Sequence, residues 1–184
     1  PKKPALLAHL LRTLSVSRAI VFSRTKHGAD RIARQLKKSG TAAAAIHGNK
    51  TQGARQTAME QFRSGKVRVL VATDIAARGI DVDGISHIFN YDVSRDPEGH
   101  VHRIGRTARA GAAGAAITFC DREELPHLKA IERLIRMELT VIGDAPCQTA
   151  VAPGQRPASS RGAARDSRPG AGRSPRKTRK RADR

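Results

Sequence analysis

The feature that most constrains the fold is an alternation of short apolar runs with longer amphipathic stretches across the first 144 residues. The apolar runs are rich in β-branched or small residues and occupy positions 19–22, 42–46, 67–72, 87–90 and 115–119. Apolar runs of this length are typical of strands that are buried on both faces of a parallel sheet. We therefore predict a parallel sheet of about five or more strands.

The amphipathic stretches between the apolar runs predict helices. Residues 26–39, 51–64 and 122–138 carry apolar side chains at helical spacing. The first two stretches stop at Gly40 and Gly65, and glycine is the residue most often found just after a helix. Strands that alternate with helices imply an α/β layer fold with right-handed crossovers, so the helices should flank the sheet.

The charge of the chain divides into two parts. The formal net charge is +19 and the pI is about 11.4, which is typical of a nucleic-acid-binding protein. Residues 145–184 hold 11 Lys or Arg against 2 Asp or Glu, and they contain no Leu, Ile, Phe or Tyr. A segment of this composition buries too little apolar surface to offset its ordering entropy. We predict one domain over residues 1–144 and a disordered basic Arg/Pro/Gly/Ser-rich tail over 145–184.

Composition also excludes some protein classes. The two cysteines, Cys120 and Cys147, suggest no disulfide framework, which favours a reducing cytoplasmic location. No apolar run is long enough for a transmembrane helix, and no basic amphipathic helix indicates membrane binding. His100 and His102 lack further ligands at metal-binding spacing, so we expect no metal site. A start without Met suggests a fragment of a longer protein.

Two motifs carry the functional information. Residues 102–111 read HRIGRTARAG, in which Arg103, Arg106 and Arg109 recur at three-residue spacing and would share one face of a helix. Closely packed arginines are typical of phosphate binding, although a solvated basic helix face would look the same. The second motif, at residues 71–81, reads VATDIAARGID.

Together these segments resemble motifs VI and V of the DEAD-box RNA helicases. Residues 20–26, IVFSRTK, resemble motif IV, and residues 46–55, IHGNKTQGAR, resemble the HG…QxxR element that follows it. The four segments occur in the order of that family, and their wording is most similar to the bacterial RhlE-type branch. The resemblance implies the second RecA-like domain of a helicase core, with its motifs outside the carboxyl ends of the strands, where ligands bind parallel sheets.

The resemblance also assigns expected roles to individual residues. The arginine fingers of ATP hydrolysis would be Arg106 and Arg109, and the nucleotide ribose would be held by Asp81 beside Gly79. The RNA backbone would be contacted by Thr73, Arg55, Gly48, Arg24 and Lys26. The residues that couple this domain to the first one would be His102, Arg103 and Arg78.

The sequence lacks both a GxxxxGK[ST] phosphate loop and an Asp-Glu-Ala-Asp motif. By the resemblance, those elements would belong to an N-terminal RecA-like domain, which would hold most of the Mg²⁺ coordination. We therefore expect RNA and that domain as partners, ATP and Mg²⁺ as cofactors, and no ATP hydrolysis by this chain alone. Two alternatives stay open, a DNA-directed helicase relative and a non-enzymatic basic RNA-binding or annealing module.

Overall fold

The computed structural model describes residues 2–78, 80, 82–107 and 114–142. The elements follow one another as α1 (Lys3–Thr13), β1 (Ala19–Phe22), α2 (Lys26–Lys38), β2 (Ala43–Ile46), α3 (Gln52–Arg63), β3 (Val69–Ala72), α4 (Asp74–Ala77), β4 (His87–Asn90), α5 (Pro97–Ile104), β5 (Ala115–Thr118), a 3₁₀ turn (Arg122–Glu124) and α6 (Leu125–Ile135). No helix within these ranges is long and apolar enough to cross a membrane.

The five strands form one sheet in the order β2-β3-β1-β4-β5. Every neighbouring pair is parallel, and Ala19 at the start of the central strand β1 is level with Val69 on one side and His87 on the other. This arrangement confirms the prediction of a parallel five-strand sheet. The glycines after α2 and α3 are also confirmed as helix ends, because Gly40 has φ +81° and Gly65 has φ +78°.

The two faces of the sheet carry separate apolar layers. On one face, α1 and α2 cover the strands with buried side chains such as Leu7 and Ile32. On the other face the covering residues come from α3, α4 and the segment that leads into β4, among them Phe62, Ala76 and Ile85. The chain therefore leaves β1 toward one layer and leaves the adjacent strand β3 toward the other. In an open parallel sheet, a crevice forms at this point outside the carboxyl ends of the strands.

Two predictions about local structure were wrong. Strand β5 is not buried on both faces, because it forms an edge of the sheet and its first residues, Ala115 and Ala116, are exposed. Residues 122–138 do not form one helix, since a 3₁₀ turn precedes α6 and Arg136 ends it with φ 55°. The start of helix α5 was not predicted, although Asp96 accepts hydrogen bonds from the N–H groups of Glu98 and Gly99, which is a common helix start.

Candidate functional site at the carboxyl ends of the strands

The loops that follow β1, β2, β3 and β4 converge at one edge of the sheet. The N–H of Ser23 donates to the carbonyl of Ala72, and the N–H of Thr73 donates to the carbonyl of Ile46. On the other side of β1, the N–H of Tyr91 donates to the carbonyl of Phe22. These bonds bring the segments after β1, β2, β3 and β4 side by side, because these strands are neighbours in the parallel sheet.

Arg103 is the central buried charge of this edge. Its side chain is only 4% exposed, and Nε and Nη2 each donate to one carboxylate oxygen of Asp74 at 2.6 Å. Nη1 donates to Oδ1 of Asn90 at 3.3 Å and to the carbonyl of Asp92 at 3.1 Å. The guanidinium carbon also lies 5.0 Å from the ring centroid of Phe22. Because these donors are engaged inside the domain, Arg103 joins α5 to Asp74 at the start of α4 and to the end of β4.

The expectation that three arginines share one helical face was wrong. Helix α5 ends at Ile104, and Gly105 caps it through its N–H bond to the carbonyl of Val101. Arg106 therefore lies in the turn after the helix, whereas Arg103 lies inside it. Arg109 lies outside the described residues.

Arg106 is half-buried and faces the segment between α4 and β4. Its Nη1 donates to the carbonyl of Ile80 at 3.2 Å. One residue later, Oγ1 of Thr107 donates to the carbonyl of Ile85 at 2.5 Å. Within the described ranges, no carboxylate forms an ion pair with Arg106. Gly79 and Asp81, the predicted ribose contacts on either side of Ile80, lie outside the described residues.

The loop after β1 is held by carboxylates from later in the chain. Asp92 accepts hydrogen bonds from the N–H of Arg24 at 2.8 Å and from Oγ of Ser23 at 3.4 Å. Thr25 caps α2 by accepting a hydrogen bond from the N–H of Gly28 at 3.0 Å. An added Cβ at Gly28 would lie 2.5 Å from Oγ of Ser23, so a larger residue there would force the Ser23 hydroxyl to move. This loop presents Arg24 and Lys26 as exposed side chains.

The buried carboxylate of Glu124 connects the loop after β4 with helix α1. Its Oε1 accepts from the N–H of Val93 at 3.2 Å, and its Oε2 accepts from Nζ of Lys3 at 2.7 Å. Lys3 also donates to the carbonyl of Tyr91 at 3.1 Å. Burial alone would lower the pKa of Lys3, but its bonds to Glu124 and to Asp121 outweigh burial and raise it.

The remaining predicted RNA-binding residues lie on the β2 and β3 side of this edge. Thr73 is half-buried, and its side chain makes no capping bond to α4. Gly48 is exposed, and a Cβ added there would meet no described atom within 4 Å, so packing does not explain the glycine. Arg55 of α3 and the exposed Arg78 line a common cavity of about 330 Å³.

The residues predicted to couple the two domains occupy different environments. His102 and Arg78 are exposed, while Arg103 is buried and hydrogen-bonded within the domain. His100, one turn before Arg103, is fully buried, and neither ring nitrogen has a hydrogen-bond partner within the described ranges. Burial, reinforced by the nearby positive charge of Arg103 and partly offset by Asp74, lowers the pKa of His100 to about 4.

Sequence reasoning missed the residues that support the predicted motifs. Asp74, Asn90, Asp92 and Glu124 hold Arg103 and the loops in place, yet none was singled out as part of the site. Two of them could have been found from the sequence. Asn90 is a polar residue at the end of an apolar strand and Asp92 follows that strand, at the end where ligands bind parallel sheets. Nothing in the sequence indicated that Glu124 would fold back onto the loop after β4.

Metal coordination has no support in the described part of the chain. No three His, Cys, Asp or Glu side chains there lie close enough together to hold a metal ion. One carboxylate of this edge, that of Asp74, is paired with Arg103.

Comparisons with known proteins agree with this architecture. Residues 2–111 match the family model "Helicase conserved C-terminal domain". The DEAD-box ATP-dependent RNA helicase CshA of Bacillus subtilis (strain 168) is 48% identical over 138 residues, which are 75% of this chain and 28% of that protein. The chain thus spans less than a third of the length of this curated relative. The relatives from Listeria monocytogenes and Bacillus subtilis are both CshA proteins, so the expected RhlE-type branch is not confirmed.

Solved structures show the same fold. The E. coli DEAD-box protein SrmB, in a crystal structure with regulator of ribonuclease activity A, aligns with a TM-score of 0.72 and 41% identity over 76% of this chain and 84% of that chain. S. cerevisiae Dbp5 bound to RNA and ADP BeF3 aligns with a TM-score of 0.66 and 34% identity over 71% of this chain and 35% of that chain. With the family model covering more than half of its length, this chain belongs to the helicase conserved C-terminal domain family, as found in DEAD-box proteins.

Proposed function

We propose that this chain is the second RecA-like domain of an ATP-dependent RNA helicase. The observation that carries the proposal is the joining of two segments, one containing Thr73 to Ile80 and the other Arg103 to Thr107. The ion pair between Asp74 and Arg103 and the bond from Arg106 to Ile80 hold these segments together. CshA relatives are ATP-dependent RNA helicases by name, and the same activity is proposed for the full-length form of this protein.

The proposal gives this domain one wall of an ATP site. Arg106 and Arg109 would be the arginine fingers, which stabilise the negative charge that spreads over the transferred phosphoryl group. Asp81 would accept hydrogen bonds from the ribose hydroxyls, and Gly79 would allow the backbone to approach closely. The bond from half-buried Arg106 to the carbonyl of Ile80, which lies between Gly79 and Asp81 in the sequence, supports this role. Mg²⁺, which neutralises phosphate charge when bound, is assigned chiefly to carboxylates of the N-terminal RecA-like domain.

The same edge would contribute half of an RNA groove. Thr73, Arg55, Gly48, Arg24 and Lys26 follow the ends of three neighbouring strands, and Gly48 is open to a close backbone approach. Contacts from such residues go to the sugar-phosphate backbone, so binding would be largely independent of sequence. The structure of Dbp5 with RNA shows that a relative of this fold binds RNA.

The two halves of the site would act when the domains close. Closure would bring the arginines against nucleotide held by the N-terminal domain and would bend the bound strand, which separates short duplexes locally. Arg103 would act as a positioning residue in this step, because its buried pair with Asp74 fixes the turn that carries Arg106. His102 and Arg78, which are both exposed, would contact the N-terminal domain. Hydrolysis would then release the RNA.

The proposal is tested with the full-length protein and with this chain alone. Phosphate release and separation of a short labelled duplex are measured with saturating RNA or DNA. We expect RNA to stimulate hydrolysis in the full-length protein and the isolated chain to show no turnover above background. Stimulation by DNA alone would favour a DNA-directed relative. RNA binding without hydrolysis in the full-length protein would favour a non-enzymatic RNA-binding module.

Two finer assignments are also proposals. The wording of the motifs, IHGNK and HRIGRTARAG, favours an RhlE-type protein, and the cysteine usage favours a cytoplasmic location. Fluorescence microscopy of the tagged full-length protein would test the location.

A further inference from the structure

We propose that Glu124 is a positioning residue for RNA binding, which sets the position of Arg24 through the loop after β4. The inference rests on the RNA groove proposed above, in which Arg24 contacts the RNA backbone. Glu124 ends the 3₁₀ turn before α6 and comes after the last of the four motif segments, so the motifs do not point to it.

Three consecutive residues of the loop after β4 are held by charged side chains from three other elements. The carbonyl of Tyr91 accepts a hydrogen bond from Nζ of Lys3 in α1 at 3.1 Å. The carbonyl of Asp92 accepts one from Nη1 of Arg103 in α5, also at 3.1 Å. The N–H of the next residue donates to Oε1 of Glu124 at 3.2 Å. The backbone of this loop is therefore fixed on both sides of Asp92, although it belongs to no helix or strand.

The carboxylate of Asp92 carries this constraint to the loop after β1. Its Oδ2 accepts hydrogen bonds from the N–H of Arg24 at 2.8 Å and from Oγ of Ser23 at 3.4 Å. A hydrogen bond to an ionised acceptor is short and directional, so the Arg24 backbone follows the Asp92 carboxylate. The position of Arg24 thus depends on the side chains that hold the loop after β4, and Glu124 is one of them.

Glu124 also reaches the side chain of Arg24 directly. Its Oε1 lies 4.0 Å from Nη1 of Arg24. The Glu124 side chain is 10% exposed and the Arg24 side chain is 51% exposed, so a fixed carboxylate lies beside a guanidinium that still reaches solvent. Fixing an arginine side chain on binding costs conformational entropy, and part of this cost disappears if the side chain is already restricted. Glu124 therefore restricts both the backbone and the guanidinium of Arg24 before RNA binds.

The ion pair between Lys3 and Glu124 is better explained by positioning than by stability. Nζ of Lys3 lies 2.7 Å from Oε2 of Glu124, and both side chains are nearly buried, at 14% and 10% exposure. In a buried pair the cost of desolvation offsets much of the attraction, so an apolar pair of similar volume can be as stable. An apolar pair would not hold the carbonyl of Tyr91 and the N–H of Val93, as these two side chains do.

The sign of the effect on RNA affinity separates positioning from general electrostatics. Glu124→Gln removes a negative charge 4.0 Å from Arg24, and a more positive surface should by itself bind RNA more tightly. Loss of the fixed geometry of Arg24 should weaken binding instead. Glu124→Asp keeps the charge but shortens the side chain by one methylene, so it tests geometry alone.

The first measurement is the affinity of the full-length protein for fluorescein-labelled oligo-U, by fluorescence anisotropy with a non-hydrolysable ATP analogue. We expect Glu124→Asp and Glu124→Gln each to weaken binding about fivefold. The matched controls are Glu123→Asp and Glu123→Gln, at the exposed neighbouring position of the same 3₁₀ turn, and they should stay within about twofold of the parent. Urea unfolding shows that each variant is folded, and if Glu124→Gln does not fold, Glu124→Asp carries the test.

The second measurement is hydrogen exchange of the Arg24 amide in this chain, followed by nuclear magnetic resonance without RNA. That amide donates to the Asp92 carboxylate at 2.8 Å in the parent. We expect its protection to fall about fivefold in Glu124→Asp, while amides within β1 keep theirs. A variant that only lowered the stability of the whole domain would change the most protected amides of β1 as well. Unchanged protection of the Arg24 amide would overturn the inference.

Arg24→Ala provides the background that identifies the route. If Glu124 acts through Arg24, adding Glu124→Asp to Arg24→Ala should weaken oligo-U binding by less than about twofold further. An equal loss with and without the Arg24 side chain would overturn the inference, as would unchanged or tighter binding in both Glu124 variants, and either result would leave the proposed groove intact. Unchanged binding in Arg24→Ala alone would instead remove Arg24 from the groove, and the inference would fall with that assignment.

Discussion

Asp74 and Arg103 form a bidentate ion pair in which Nε and Nη2 of the arginine each donate to one carboxylate oxygen at 2.6 Å. The arginine is 4% exposed and the aspartate is 47% exposed, so one partner of the pair reaches solvent. Asp74 lies directly after Thr73, and Arg103 lies one turn before Arg106. The pair therefore fixes the spacing between a proposed RNA contact and a proposed catalytic arginine.

We predict that Asp74→Asn destabilises the domain by about 1 to 3 kcal/mol, because it leaves the buried Arg103 cation with a neutral partner. Solvent access at Asp74 keeps the effect below that of a fully buried pair. Urea unfolding followed by circular dichroism measures the change. Asp83→Asn is the matched control, since Asp83 is exposed and forms no ion pair within the described residues. Equal stability of the two variants would show that the pair contributes little.

A second prediction concerns His100 and pH. The pKa of His100 is lowered by burial to about 4 in the folded chain, against an ordinary value of 6.5. Below pH 6.5 the unfolded chain therefore binds a proton that the folded chain excludes. Stability linked to this group is fully present above pH 6.5 and is lost as pH falls toward 4. The pKa difference of His100 corresponds to about 3 kcal/mol of unfolding free energy, of which about 2 kcal/mol is lost by pH 5.

We expect His100→Phe to reduce the loss of unfolding free energy between pH 7.5 and pH 5 by about that 2 kcal/mol. Urea unfolding at the two pH values measures it. A residual dependence should remain, because burial also lowers the pKa of His87. His9→Gln, at an exposed position, should leave the pH dependence as in the parent. A parent-like pH dependence in His100→Phe would mean that His100 is protonated as easily in the folded chain as in the unfolded one.

The strand pattern and the helix-ending glycines could be predicted from the sequence because both depend on local properties of a few residues. Runs such as 69–72 are apolar throughout, and Gly40 and Gly65 have the positive φ values that favour glycine. The partners of Arg103 could not be predicted, because Asp74 and Asn90 are brought to it only by the strand order. The same holds for the end of α5, since a three-residue arginine spacing fits a continuous helix as well as a helix followed by a turn.

A third prediction separates the proposed catalysis from RNA binding in the full-length protein. Arg106→Ala or Arg109→Ala should lower kcat for RNA-stimulated ATP hydrolysis about a thousandfold or more, because an arginine finger acts on charge that develops in the transition state. RNA affinity should change much less. Steady-state phosphate release and fluorescence anisotropy with labelled RNA give the two quantities. Arg133→Ala, at an exposed position on α6, is the control. A variant that loses RNA binding but hydrolyses ATP normally would place its arginine in the RNA groove.

The last prediction concerns residues 145–184, whose structure lies outside the described ranges and whose net charge is +9. Each phosphate that a Lys or Arg neutralises releases counterions, and for single strands the log–log salt slope changes by roughly 0.7 per contact. Deleting the tail should weaken RNA affinity, flatten the salt slope and raise the RNA concentration needed for half-maximal ATP hydrolysis.

The value of kcat at saturating RNA should stay nearly unchanged, because every proposed catalytic residue precedes position 145. Anisotropy across a salt series, with and without the tail, provides the measurement. A tail of equal length with Lys and Arg replaced by Gln separates charge from length, and it should behave like the deletion. A salt slope that is the same in all three proteins would reject the tail as an RNA contact and favour a protein partner for it.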